Sequence, residues 1–186
     1  MVDADVATLP RVTRIMLDAG LVDARWYTEL SAERGSAVHK ACYLADGDEL
    51  DESSLDPRIV GYLEAYRRFR TECNFRPRWR EHEVVSRRWQ YAGRLDLAGS
   101  LVMRHETSPR LAVLDIKTGH AGPQTGVQLA AYGRALIELI GQAASRYALE
   151  LREDGTYRLV PYTDPADWSV FLAALTVTQW RKAHGQ

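Results

Sequence analysis

The spacing of apolar positions changes twice along this chain of 186 residues. In residues 26–45, Trp26, Leu30, Ala37, Val38, Ala41, Cys42 and Leu44 recur at helical intervals, interrupted at Gly35. The segment 46–56 holds six carboxylates among Ser and Gly and predicts a mobile loop. Pro57 stands early in a further helix through Ile59, Leu63, Tyr66 and Phe69. The period then shortens to two, and residues 83–89 and 91–102 read as strands. A polar turn at 104–109 leads into a third apolar run, 111–117, and residues 118–123 form a loop. Helical spacing returns over 127–140 with Leu129, Tyr132, Leu136, Leu139 and Ile140. Residues 147–151 and 157–161 predict a hairpin about Asp154-Gly155. A final helix over 168–183 starts behind Asp164 and Asp167. Near the start, Leu9-Pro10 reads as an extended lead-in to Ile15-Met16-Leu17. This order predicts an α+β fold with a central mixed sheet of about four to five strands flanked by helices. One domain over residues 1–186 accommodates it.

Composition narrows the class. Apolar residues make up 46% and charged residues 26%, as in a soluble globular protein. No apolar run reaches the ~20 residues of a membrane span. The N-terminus is acidic and lacks the pattern of a secretion signal, so a cytoplasmic protein is expected. Cys42 and Cys73 are too few, and wrongly spaced, for a disulfide framework, a zinc site or a four-cysteine iron–sulfur cluster. The net charge of −1 hides a segregation. Residues 1–66 carry 6 basic and 13 acidic side chains, whereas residues 67–94 carry 9 arginines against 3 glutamates. That basic cluster, including Arg76, Arg78, Arg87 and Arg88, is the footprint expected for a phosphate backbone.

Four short motifs carry candidate chemistry: Gly35-Ser-Ala-Val-His39, Gly93-Arg-Leu-Asp96, Asp115-Ile-Lys117 and Gln128-Leu-Ala-Ala-Tyr132. On a strand, Asp115 and Lys117 share a face while Leu114 and Ile116 point to the core. A carboxylate and an ammonium at the end of a mostly buried strand are costly unless paired or bound. Only Lys40, Lys117 and Lys182 among the 24 basic residues are lysine, which marks position 117 as one that needs a compact, tunable ammonium.

In this order and spacing the motifs resemble the PD-(D/E)XK nuclease superfamily, in its RecB-type branch, over about residues 9–165. That branch includes phage-type exonucleases and the nucleases of CRISPR adaptation; the iron–sulfur cysteines that many of the latter carry are missing from this sequence. The resemblance implies a restriction-endonuclease-like fold, with Asp96, Asp115, His39 and the backbone carbonyl of Ile116 as metal ligands. It implies that Lys117 orients or deprotonates the attacking water, and that Gln128 and Tyr132 steady the lysine and contact DNA. Glu83 stands where the family often carries an acid on the first strand, as a supporting or second-metal residue. Elementary chemistry agrees with this, because two carboxylates and an imidazole with open positions suit one or two Mg²⁺ or Mn²⁺ ions. Arg34, Ser36 and Lys40 beside His39, and Arg94 beside Asp96, are candidates to hold phosphates.

The expected activity is therefore that of a metal-dependent DNA exonuclease of phage or bacterial origin, acting in recombination or end processing. Such enzymes often work with a single-strand annealing protein, and a homo-oligomer would allow a small chain to encircle DNA. A structure-specific endonuclease of the same fold, and a non-catalytic DNA-binding or assembly module, are the alternatives.

Overall fold

A computed structural model describes residues 6–22, 29–103 and 106–185. Trp26 and the turn residues Arg104 and His105 lie outside the described residues, as does the acidic stretch 1–5. Helix α1 spans Val12–Asp18, α2 Glu29–Asp46 and α3 Val60–Glu72. Strands β1 (Arg76–Ser86), β2 (Tyr91–Leu101) and β3 (Arg110–Lys117) follow. After them come α4 (Gln124–Ile140), β4 (Ser145–Leu151), β5 (Tyr157–Pro161) and α5 (Ala166–Ala183). The five strands form one sheet in sequence order, so β1 and β5 are its outer strands. The pairs β1–β2, β2–β3 and β4–β5 are antiparallel, and β4 runs parallel to β3 after the α4 crossover. The sheet is mixed, five-stranded and flanked by helices, which is the expected α+β class.

Each face of the sheet buries its own core. On one face, α2 and α3 lay Val38, Tyr66 and Phe69 over Leu97, Leu101, Leu114 and Leu149. On the other, Ile15 of α1, Leu129 and Leu136 of α4 and Phe171 of α5 cover Tyr91, Leu95 and Val113. Each such side chain removed from water contributes roughly 1.5–3 kcal/mol, so both faces hold the strands in register. The final helix packs internally through Phe171 and Leu175 and leaves Trp180 half exposed. Both cysteines are free and buried in the α2–α3 layer. No helix among the described residues is long and apolar enough to cross a membrane.

Two local expectations are corrected. The helix expected to be interrupted at Gly35 runs through it, because a single glycine costs a helix interior only about 1 kcal/mol. The acidic loop 46–56 is tied down rather than free. Asp46 accepts hydrogen bonds from Tyr66 (2.7 Å) and Arg70, and Glu52 pairs with Arg67. Asp51 and Asp56 cap short turns by accepting from Ser53 N and Arg58 N, each at 2.9 Å. Four of the six carboxylates are thus held by donors from α3 or from their own turns.

Candidate metal centre

The centre forms where two strands part. The β2–β3 ladder ends at the Leu97–Leu114 pair, and beyond it a side chain replaces the backbone partner. Asp96 Oδ2 accepts the Ile116 N–H at 2.7 Å. One carboxylate thus sits between the strands and satisfies an amide that would otherwise be orphaned. Asp115, on β3, is only 2% exposed. Its Oδ2 lies 2.6 Å from Lys117 Nζ, yet no hydrogen bond of ordinary geometry reaches that oxygen. The contact is an ion pair across one strand face, as residues two apart on a strand allow.

Helix α2 delivers His39 to the same point. Its Nε2 is 3.0 Å from the Ile116 carbonyl oxygen, and its Nδ1 is 3.4 Å from Glu81 and 3.7 Å from Asp96. In its protonated form the ring donates through both nitrogens. Burial on its own pulls the imidazole pKa down, but the Glu81 hydrogen bond, the Asp96 charge, the Ile116 carbonyl and the Asp115 charge outweigh it and push it up to about 9. Asp96 is displaced as well. Burial raises its pKa most and the Asp115 charge adds to this, while His39, Lys117 and the Ile116 N–H oppose them, leaving it at about 7. An acid and a base so displaced in one crevice are characteristic of functional sites.

A ligand set follows from the distances. His39, Glu81 and Asp96 each offer a ligand atom within 4.8 Å of the others. The Ile116 carbonyl oxygen borders the set through its contact with His39 Nε2. The donors are carboxylate oxygens and one imidazole, which suit a hard divalent ion, with the nitrogen widening tolerance towards Mn²⁺. The like-charged pair Asp96 and Asp115, with one buried oxygen lacking a hydrogen bond, supplies a reason for a cation to bind. Asp115 itself is outside the three-residue set and is held by Lys117.

The β1 acid that stands beside His39 and Asp96 is Glu81, whereas the expectation for that strand was Glu83, in a supporting or second-metal role. In an ideal strand, consecutive side chains alternate between faces. Here Trp79 packs into the α1–α4–α5 layer, whereas Arg80 and Glu81 both line the cleft on the α2 side. The break in alternation is visible in the backbone, since Glu81 has φ +44°, a left-handed conformation costing on the order of 1–3 kcal/mol outside glycine. The register then sets Glu81 opposite Asp96, between the pairs Arg80–Leu97 and His82–Leu95. Glu83 instead forms an ion pair with Arg11 at 2.6 Å. Glu81→Gln is expected to weaken Mn²⁺ binding by about 10–100-fold, as loss of a coordinating or orienting group does. Glu83→Gln should leave it within about twofold, since it loses only an exposed ion pair. Calorimetric titration of the two variants separates them, and equal losses would show that alternation holds after all.

Gln128 and Tyr132 do pair, with the Gln128 amide donating to the Tyr132 hydroxyl at 3.1 Å. Tyr132 is 2% exposed, which corrects the expectation that it touches DNA; it positions Gln128 from within the α4 layer. Gly93 makes room for it, since a Cβ there would meet the tyrosine ring at 2.7 Å. Ser36, Lys40 and Arg94 line the cleft over the centre, a space of about 670 Å³ shared with Gly35, Tyr43 and Arg80. Arg34 does not join them. Its guanidinium lies over the Tyr62 ring and it lines a separate cavity beside Asp56 and Arg58. Arg87 and Arg88 sit beyond the end of β1, where the Arg88 guanidinium covers Trp89 and its amide donates to Glu138.

No protein-family profile matches the chain, and no curated protein matches it in sequence. Among solved structures it is similar to the crystal structure of a protein described as a "putative exonuclease" from Eubacterium rectale. The two superpose with a TM-score of 0.51 at 10% identity, over 90% of this chain and 71% of the other. A second structure, SSO0001, covers 91% of this chain and 83% of its own at 14% identity and a TM-score of 0.37, too loose a superposition to bear on the site. By its five-stranded mixed sheet, its flanking helices and the first of these likenesses, the chain has an α+β nuclease-like fold.

Proposed function

We propose that the protein is a divalent-metal-dependent deoxyribonuclease of the PD-(D/E)XK, RecB-like kind, hydrolysing phosphodiester bonds from DNA ends. The observation that carries this is the convergence of His39, Glu81 and Asp96 beside the Asp115–Lys117 pair, at the point where β2 and β3 part. His39, Glu81, Asp96 and the Ile116 carbonyl would hold Mg²⁺ or Mn²⁺, with Asp115 completing the negative charge around it. When bound, such an ion supplies Lewis-acid charge stabilisation and a more acidic water. Lys117 Nζ, held 2.6 Å from Asp115, would present a donor that orients the attacking water and meets negative charge developing on the phosphate. Gln128, whose amide donates to the Tyr132 hydroxyl one turn on along α4, would steady the Lys117 side of the site. Lys40, Arg80 and Arg94 line the cleft mouth and draw in the anionic substrate. The superposition on a protein described as a putative exonuclease supports the exonuclease form of the reading.

End-labelled linear DNA and covalently closed circular DNA, each incubated with Mn²⁺, Mg²⁺ or EDTA, test this directly. Loss of the linear form alone, in the presence of metal, is the expected result. Cutting of the circle would make the protein an endonuclease of the same fold. DNA binding without cleavage in any metal would sink the enzymatic reading.

A further inference from the structure

Many cations in this protein are committed to acids. Arg11, Arg14, Arg58, Arg68, Arg110 and Arg158 each hold a carboxylate. Of the cations that form no ion pair among the described residues, Lys40, Arg76, Arg78, Arg80 and Arg94 lie on β1 or line the cleft beside it, whereas others, such as Arg134 on α4 and Arg181 on α5, lie elsewhere. Lys40, Arg80 and Arg94 line the cleft over the metal centre. Arg78 and Arg76 continue along β1, with the Arg78 guanidinium resting 4.3 Å from the centre of the Trp79 ring. At the start of β1, Arg76 lines a second cleft of about 330 Å³ with Arg67, Arg70, Thr71 and Asn74. Arg67 and Arg70 each share their charge with one acid, Glu52 and Asp46, and retain further N–H donors; Arg76 is uncommitted.

The strand that links the two clefts is built to bind through side chains. β1 is an outer strand, a position that invites pairing with another chain. Pro77 removes a donor from its ladder, and the register shifts between Pro77 and Trp79. Gly99 accommodates that shift, since a Cβ there would lie 2.1 Å from the Arg76 carbonyl oxygen. An irregular, arginine-bearing edge of this kind is a poor template for strand addition and a good one for an anion. The spacing sets the anion's size. Arg80 and Arg76 are about 13 Å apart along the strand, at ~3.3 Å per residue, so a single small phosphate reaches only one cleft.

We infer that β1 carries a nucleic-acid strand away from the metal centre, and that the cleft of Arg67, Arg70, Asn74 and Arg76 is a distal phosphate subsite. The inference rests on the nuclease reading above for what lies at the other end of the track. The ligand is an extended polyanion held by its backbone, so affinity depends on strand length and salt rather than on base sequence.

The test is equilibrium binding of fluorescein-labelled single-stranded DNA in EDTA, over lengths from a dinucleotide, too short to span both clefts, to about 16 nucleotides. Wild-type affinity should rise with length and then level off. The Arg76→Ala, Arg78→Ala double variant should lose about tenfold on the longest strands and nothing on the shortest. Its salt slope should fall by about 1.4, for two phosphate contacts at ~0.7 each on a single strand. The Arg76→Lys, Arg78→Lys double, which keeps both charges, should bind long strands near the wild-type level, and Arg58→Ala should bind as wild type. Binding by the alanine double that equals wild type at every length, or falls equally at every length, overturns the inference. Cleavage of linear DNA in Mn²⁺ reports on the centre separately. A protein whose long-strand binding needs the arginines but which never cuts keeps the track and loses the nuclease reading. A protein that cuts, with the same length dependence in the alanine double, keeps the nuclease and loses the track.

Discussion

If the protein is the proposed nuclease, Lys117→Ala is expected to lower turnover on linear DNA by about 10²–10³-fold and to leave metal binding in place. The magnitude is that of removing one preorganised donor aimed at charge developing in the transition state. An ammonium has no lone pair to offer a cation, so a metal-induced rise in melting temperature should survive the substitution. The variant should also lose some stability, because Asp115 stays buried and loses the ammonium 2.6 Å away. Metal should restore part of that loss, since the cation takes over as counter-charge. Turnover and thermal shift must therefore be measured together, on protein shown by circular dichroism to be folded at the assay temperature. A variant that cuts nearly as well as wild type would reduce Lys117 to a structural partner of Asp115.

The second large effect is a dependence of stability on pH that metal reverses. Asp96 has a folded pKa of about 7, above the ordinary carboxylate value of 3.8. Its protonated form is the one the fold favours, so this contribution is full below pH 3.8 and fades as pH rises to about 7. His39 is raised from 6.5 to about 9 by its acidic neighbours, against the pull of burial. Its contribution is full below pH 6.5 and is lost as pH rises through 9. Both signs agree, so the metal-free protein should melt at progressively lower temperature between about pH 4 and 9, with an earlier and a later component. A divalent ion competes with the His39 proton, so its affinity should tighten with pH, by up to about tenfold per unit for one displaced proton. At a metal concentration ~100 times the dissociation constant the gain is about 2.7 kcal/mol. For a chain of this size that is roughly 5–11 °C in melting temperature, present at pH 8 and largely absent at pH 5. Asp96→Asn should abolish the metal-dependent shift and flatten the earlier component. The same shift at both pH values, or its persistence in Asp96→Asn, would place the ion elsewhere.

Much of this architecture is legible in the residues. The acids of β2 and β3 announce themselves because Asp96 and Asp115 interrupt apolar runs whose neighbours are fully buried, and His39 stands on a helix where helical spacing puts it. The start of β1 was not legible. Arg76-Pro-Arg-Trp-Arg80 lacks the alternation that marks a strand, because an outer strand meets solvent along its edge and few of its side chains need be apolar. Arg34 is five residues from His39, yet it faces the Tyr62 layer, because that spacing advances ~500° around a helix and does not return to the same face.

What the linear order of residues determined, then, is the set of elements and the two strands that bear Asp96 and Asp115, since periodicity and burial are local properties of a strand or helix. Which acid of β1 comes to stand beside His39 and Asp96 was decided only in three dimensions. Glu81 and Glu83 are equivalent in a regular strand, and the left-handed turn of the backbone at Glu81 sends one towards Asp96 while Arg11 captures the other. The parting of β2 and β3 is likewise invisible in either strand by itself. It exists because the Asp96 carboxylate takes the Ile116 amide from across the gap, and that contact spans 20 positions of chain.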